Sequence, residues 1–413
     1  MPNLISYASF VETPFISVEL AGYTFGVYKK TGNNNKLQVE YPNFMDSINI
    51  VKINGQLNTY TIRMTYQITA GDDPNFLEAI FSKNKAMYGW QKIIINYGDL
   101  SCPSDIFRNE EAIITKITSN VDFSSSKISY SLSCTSTKLP LVSNSYSFPP
   151  MVAKPSDVLT NLICNKSYGI QDVLTGMSSK EKIKMFGLIA ADDKSVKIEA
   201  KENINILSYM NYLVSCMTPA TDDHDSVIKS AIYMLIINDD TDKKVGGSYI
   251  QVKKVDAKDI SSNKVDNIYT LDIGYPGNNF VTSFNILNND IWSIYYDYSQ
   301  QMTKQQYVYN IDNDGNITTE FSPALTTSRK YNYTTESNKS WWTSMTEFPI
   351  KAEVIIKGLI KPSILIDKIR VNTYFYGQKH VSSGVYIITK QEDSVDTNGY
   401  KTKLSMTRIK ADS

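Results

Sequence analysis

The sequence predicts a mainly β (α+β) protein: two antiparallel β-barrel domains, a small helical module between them and an inserted β-rich segment. Three observations predict it. Segments near both ends alternate apolar and polar residues with the period that buries one face of a strand. One stretch between them shifts to helical spacing. The composition also leans to strands and turns, with 28 Tyr against 15 Phe in 413 residues. Tyr, Thr, Val and Ile fit a pleated surface, and Asn, Asp, Gly and Ser fit the turns between strands.

The elements follow in chain order. Residues 8–28 carry an alternating strand pattern close to a chain end, so that strand needs a partner, either its own sheet or another subunit. Within 41–68, Tyr60, Ile62, Met64, Tyr66 and Ile68 share a face, and Asn54-Gly55 supplies the turn before them. Residues 71–83 read as a short helix, capped by Asp73 and opened by Pro74. Residues 90–99 form a further strand. Residues 112–123 and 127–137 form a hairpin with Ile128, Tyr130, Leu132 and Cys134 on one face. The first domain therefore spans 1–146.

The Pro-marked stretch 147–159 opens the second region, 147–222. Val158, Leu159, Leu162 and Ile163 have helical spacing, and 203–217 reads as an amphipathic helix. Strands return at 230–239, and the last domain spans 223–413. Residues 281–299 and 306–322 are hairpin-like, and an irregular β-rich insertion lies around 299–348. Ala352, Val354 and Ile356 alternate, as do Val385 with Ile387 and Leu404 with Met406. No short-period repeat is evident.

Charge and cysteines exclude several classes. Lys plus Arg and Asp plus Glu are 42 each, so no basic surplus marks specific nucleic-acid binding. Near-neutral chains repel one another weakly, which leaves self-association unopposed. A chain of this size needs no disulfides, and Cys102, Cys134, Cys164 and Cys216 form no CxxC, so all four are expected reduced. No membrane segment and no leader are read in the sequence, and folding in a cytoplasm is expected.

Motifs for chemistry are sparse. Asn310, Asp312, Asp314 and Gly315 sit at calcium-loop positions, but Phe321 stands where the bidentate acid belongs, and a hairpin turn explains the stretch. His224 and His380 are the two histidines, and no metalloprotease, hydrolase or phosphate-loop motif accompanies them. A carboxylate pair could still cleave a glycoside, yet Glu110 and Glu111 are adjacent on a strand and point to opposite faces. Trp341 and Trp342 read as loop aromatics that cover a core edge, with a protein interface or a platform for sugar rings as the alternatives. No catalytic residue, cofactor or metal is expected.

The segment 382–409 gives the ending its meaning. Gly384, Tyr386 and Ile388, then Gly399, Tyr400, Thr402, Leu404, Met406 and Arg408, resemble the last hairpin of baseplate hub proteins from phage contractile tails. Gly277, Asn279, Val281, Ser283 and Phe284 resemble a second segment of that family. The strand pair within 350–371 is similar to a third, with Ile364 to Asp367 departing from the usual glycine. The resemblance implies two tail-tube-like barrels per subunit and a homotrimeric ring joining a sixfold tail tube to a threefold spike. It implies a virion baseplate location and contacts with tail tube or tube-initiator proteins, the central spike, and baseplate wedge or sheath-adaptor proteins. In this reading Asn54, Gly55, Gly384 and Gly399 set turns, and Tyr386, Leu404 and Met406 pack the final barrel. The alternatives are a distal-tail or carbohydrate-binding receptor module and, behind it, a β-rich glycoside hydrolase.

Overall fold

The computed structural model describes residues 13–29, 37–40, 44–83, 92–99, 107–164, 193–220, 231–240, 249–256, 269–274, 281–288, 306–311, 317–322, 351–358 and 364–411. The N-terminal unit contains β1 (Pro14–Leu20), β2 (Tyr23–Lys29), β3 (Leu37–Glu40), β4 (Met45–Ile53), β5 (Thr59–Gln67), α1 (Phe76–Lys83), β6 (Lys92–Asp99), β7 (Phe107–Asp122) and β8 (Lys127–Ser136). Along β5 the side chains of Tyr60, Ile62, Met64 and Tyr66 are buried while Arg63 is exposed, as strand alternation dictates. Leu77 and Ile80 of α1 join the same core. β1 pairs with β2 and β6 of its own sheet. The sheet curls back on itself, bringing Phe25 of β2 to 5.8 Å from Phe44 beside β4.

The middle region contains α2 (Pro140–Ser143), β9 (Ser145–Phe148), β10 (Met151–Ala153), α3 (Pro155–Cys164), β11 (Val196–Ile198), β12 (Lys201–Asn205) and α4 (Ile206–Cys216). Asn205 caps α4 by accepting from the Ser208 amide at 2.8 Å. Two short strand pairs accompany the helices, so this module is mixed rather than purely helical. The hairpin of β13 (Ala231–Asn238) and β14 (Tyr249–Asp256) divides its faces. Tyr233, Leu235 and Ile237 pack into the middle core, and Met234, Ile236 and Val255 into the C-terminal one.

The C-terminal region contains β15 (Tyr269–Ile273), β16 (Val281–Asn288), β17 (Gln306–Ile311), β18 (Ile317–Ser322), β19 (Lys351–Lys357), β20 (Lys368–Phe375), β21 (Gln378–Lys379), β22 (Gly384–Asp396) and β23 (Gly399–Ala411). β17 and β18 pair antiparallel, so strands flank residues 312–316, not the helices of a calcium-binding hand. β16 pairs with β19, and residues 289–299, the second arm of the hairpin expected over 281–299, lie outside the described residues.

The two terminal regions are not the separate sheets expected from the sequence. They form one 15-stranded sheet in the order β16-β19-β23-β22-β4-β5-β8-β7-β6-β1-β2-β3, with β15, β20 and β21 branching from β22. The cause is the length of β22. β20 covers it only over Gly384–Ile387, and β4 takes the same edge over Lys390–Val395. Two cores nonetheless persist. Tyr386, Ile388, Leu404 and Met406 lie in the C-terminal core, while Val395 and Tyr400 of the same hairpin lie in the N-terminal one.

The two regions are copies of one five-strand unit. β4-β5-β8-β7 and β16-β19-β23-β22 follow the same order, with β6 and β20 as fifth strands on β7 and β22. The sequence repeats in step: NFMDSINI (43–50) with NFVTSFNI (279–286), KIIIN (92–96) with KIRVN (368–372), IITK (113–116) with IITK (387–390), and LSCT (132–135) with LSMT (404–407). The irregularities repeat as well. Thr115 is the extra residue between the pairs Ile114↔Cys134 and Lys116↔Ser133. Thr389 occupies the same place between Ile388↔Met406 and Lys390↔Ser405. Both hydroxyls donate to the carbonyl across the bulge, Thr115 to Ser133 at 3.0 Å and Thr389 to Ser405 at 3.1 Å. A bulge kept in both copies is a designed bend.

Candidate assembly site

Polar side chains concentrate at the seam between the two units. In the β22–β4 register Gln391 faces Lys52, Asp393 faces Ile50 and Val395 faces Ile48. All six are buried, because alternation turns this row toward the N-terminal core. Lys52 Nζ donates to Glu110 Oε1 at 2.5 Å, and Tyr97 OH donates to the same oxygen at 2.6 Å. Tyr60 OH donates to Glu110 Oε2 at 2.7 Å and lies 3.2 Å from Asp239 Oδ2. Asn58 Nδ2 also donates to Asp239 Oδ2, at 2.9 Å. Asp239 Oδ1 accepts from Ser136 Oγ and from Lys138 Nζ, both at 2.6 Å. Asp393 accepts from Thr402 Oγ1 at 2.7 Å and Gln391 Nε2 at 2.8 Å. These bonds tie the N-terminal unit to the segment just past β13, and Asp393 of the terminal hairpin, bonded within that hairpin, faces the same cluster through the Lys52 charge.

Its electrostatics are set by burial and pairing. Burial alone would raise the Glu110 carboxyl, but the Lys52 charge and the bonds from Lys52, Tyr97 and Tyr60 hold it below the usual carboxylate range. Burial raises Asp393, and Lys52, Thr402 and Gln391 oppose it without cancelling it. Burial, then the charges of Asp239 and Glu110, push the Tyr60 phenol well above its ordinary value. Glu110 and Asp239 are 0% exposed and Asp393 1%. Carboxyls sealed from water with their oxygens already bonded have no room for a sugar and its attacking water, so this cluster acts as a structural joint. Glu110 points inward and Glu111 outward, where Lys92 stands 3.8 Å away.

Each singled-out residue has a definite place. Asn54 and Gly55 are the central residues of the turn that ends β4, closed by the Gln56 amide donating to the Ile53 carbonyl at 3.2 Å, although β5 starts only at Thr59. Gly55 also docks the middle module: its amide donates to the Leu235 carbonyl at 2.8 Å, and its carbonyl accepts from Asn211 Nδ2 at 2.7 Å. Gly384 lies in strand rather than in a turn, opening β22 opposite Ala411 and Val371. Gly399 follows the turn, pairs with Asp396 and has a φ of +109°. Tyr386 is buried with Leu404 and Met406, donates to the Ser382 carbonyl at 2.5 Å and meets Phe284 edge-on at 6.5 Å.

His380 shares a 2.8 Å bond with Ser382 Oγ, within the turn ahead of β22. Cys134 and Cys216 are buried thiols, and burial pushes the Cys134 thiol up to about 12. Trp341, Trp342, His224 and Cys102 lie outside the described residues, as do residues 312–316 and most of the 299–348 insertion. Among the described residues, no three of His, Cys, Asp or Glu gather as a metal site, and no helix is long and apolar enough to cross a membrane.

No protein-family model matches the chain, and neither does any curated protein. Solved structures do. The likeness is to tail proteins. A prophage MuSo2 43 kDa tail protein from Shewanella oneidensis is 11% identical, with 97% of this chain and 99% of that one covered and a TM-score of 0.48. A tail protein from Neisseria meningitidis MC58 is 10% identical over 96% of this chain and 97% of its own, with a TM-score of 0.46. An E. coli component of the type VI secretion system is 10% identical, covering 92% of this chain and 76% of its own, with a TM-score of 0.42.

The sequence reading missed both the repeat and the network. The repeat was legible as IITK followed by VD and LS-x-T in both halves. Lys52 announced itself by standing on the face of Ile48 and Ile50, where alternation calls for an apolar side chain. Its partner Glu110, 58 residues away, had no such mark.

Proposed function

We propose that this chain is a structural tail hub protein, three copies of which close into a ring between the tail tube and the central spike of a virion baseplate. One observation carries the reading: the chain holds two copies of one five-strand unit, joined edge to edge through β22 and β4. Three such chains supply six similar units, which lets a threefold object meet a sixfold one. The continuity of the sheet does not merge the units, because each keeps its own core. The terminal hairpin carries the resemblance to hub proteins and also forms the joint between the units. Tube, spike and wedge or sheath-adaptor proteins are the partners this reading assigns.

Labelling tests it. An epitope tag on this chain, imaged on intact particles, should mark the junction of tube and baseplate, and absence of the chain from purified particles would overturn the assignment.

A further inference from the structure

The repeat shows an edge that is covered in one unit and, among the described residues, bare in the other. In the C-terminal unit β22 runs beside β20, passes the Thr389 bulge, and then has its edge taken by β4. In the N-terminal unit β7 runs beside β6 over Phe107–Ile113 and passes the Thr115 bulge. Beyond that bulge no described residue takes its edge, and every residue from Thr115 to Asp122 is exposed. The counterpart of β4 is β16, which ends the sheet path with one edge unpaired among the described residues.

Exposed apolar side chains mark the same two strands. Ile117 is 38% exposed and Val121 46% on β7, and Ile286 is 39% and Leu287 57% on β16. Bare, apolar strand edges are templates for pairing.

We infer that β16 of one copy pairs antiparallel with the bare edge of β7 in the next copy. This repeats between chains the β4–β22 joint found within each chain. The occupant is a second copy of this chain, because the internal joint already shows the strand type, order and register that fit. Transferring the pair Ser394↔Asn49 through the repeat sets Asn120 opposite Asn285, and Val395↔Ile48 sets Val121 opposite Phe284. The contact is head to tail, since different strands of the two copies meet, and such contacts close into rings or run on as filaments. The pairing is read from the repeat alone, while the count of three rests on the hub reading.

Paired cysteines test the register. Asn120→Cys and Asn285→Cys, both exposed positions, are placed in one chain and oxidised at native concentration. Asn120→Cys with Ser283→Cys serves as the off-register control, displaced by two residues or roughly 7 Å. The expected result is near-complete conversion to covalent dimers and trimers for the first variant and several-fold less for the second. A trimeric mass without cross-linking overturns the strand pairing and leaves the ring standing. A ladder extending past three supports the pairing and overturns the ring. A monomer that does not cross-link overturns both. Ile117→Lys with Val121→Lys, on surface positions, should abolish association while leaving the thermal unfolding of the monomer intact.

Discussion

The ring of Tyr400 lies flat against the backbone of Gly358: a Cβ at position 358 would stand 2.1 Å from Tyr400 Cγ. The Gly358 amide donates to the Tyr400 carbonyl at 2.7 Å, and Tyr97 meets the Tyr400 ring edge-on at 5.9 Å. One aromatic of the last hairpin thus touches the end of β19 and the core of the other unit together.

Gly358→Ala should therefore destabilise the chain by about 1–3 kcal/mol, the usual cost of forcing atoms into a packed site. Urea unfolding measures it. Unchanged stability would mean that Tyr400 moves aside freely and does not clamp the seam.

Gly55→Ala should loosen the middle module. Its φ is +69° and its new Cβ would lie 2.5 Å from Asn211 Oδ1. Backbone strain alone costs on the order of 1–3 kcal/mol. Hydrogen exchange should show faster opening of α4, and equal protection in both proteins would refute the docking role.

Glu110→Gln should cost about 3–5 kcal/mol near neutral pH, because it leaves Lys52 buried beside a neutral group. The folded-state pKa of Glu110 lies below its ordinary 4.5, so its contribution is present above that value and fades as pH falls through the folded one. The deficit of the variant should shrink on acidification. A deficit that grows toward acid would show that the ion pair is not the source.

Asp393→Asn should behave in the opposite sense. Burial raises this carboxyl above its ordinary 3.8, so its contribution is present below that value and lost as pH rises through the folded one. Relative to the parent, the variant should gain stability from acid toward neutral pH, since an amide still bonds Thr402 and Gln391. Parallel melting curves across that window would contradict it.

Much of the fold was legible because alternation is a local signal. Tyr60, Ile62 and Met64 on β5, and Leu404 and Met406 on the last hairpin, are buried as their spacing required. The seam was not legible. A strand pattern reports which face is buried and says nothing of which distant strand takes an edge, so β4 against β22 could not be read from either. The repeat was hidden by its turns, which span 123–126 in one copy and 397–398 in the other. The acids were hidden because Glu110, Asp239 and Asp393 become one cluster only after three separate regions meet.

Native mass over a wide concentration range tests the central claim most directly. Two repeated units whose β7 and β16 edges are unpaired among the described residues should give three copies per particle, with a central opening in images of the same sample. A single copy at every concentration would contradict it.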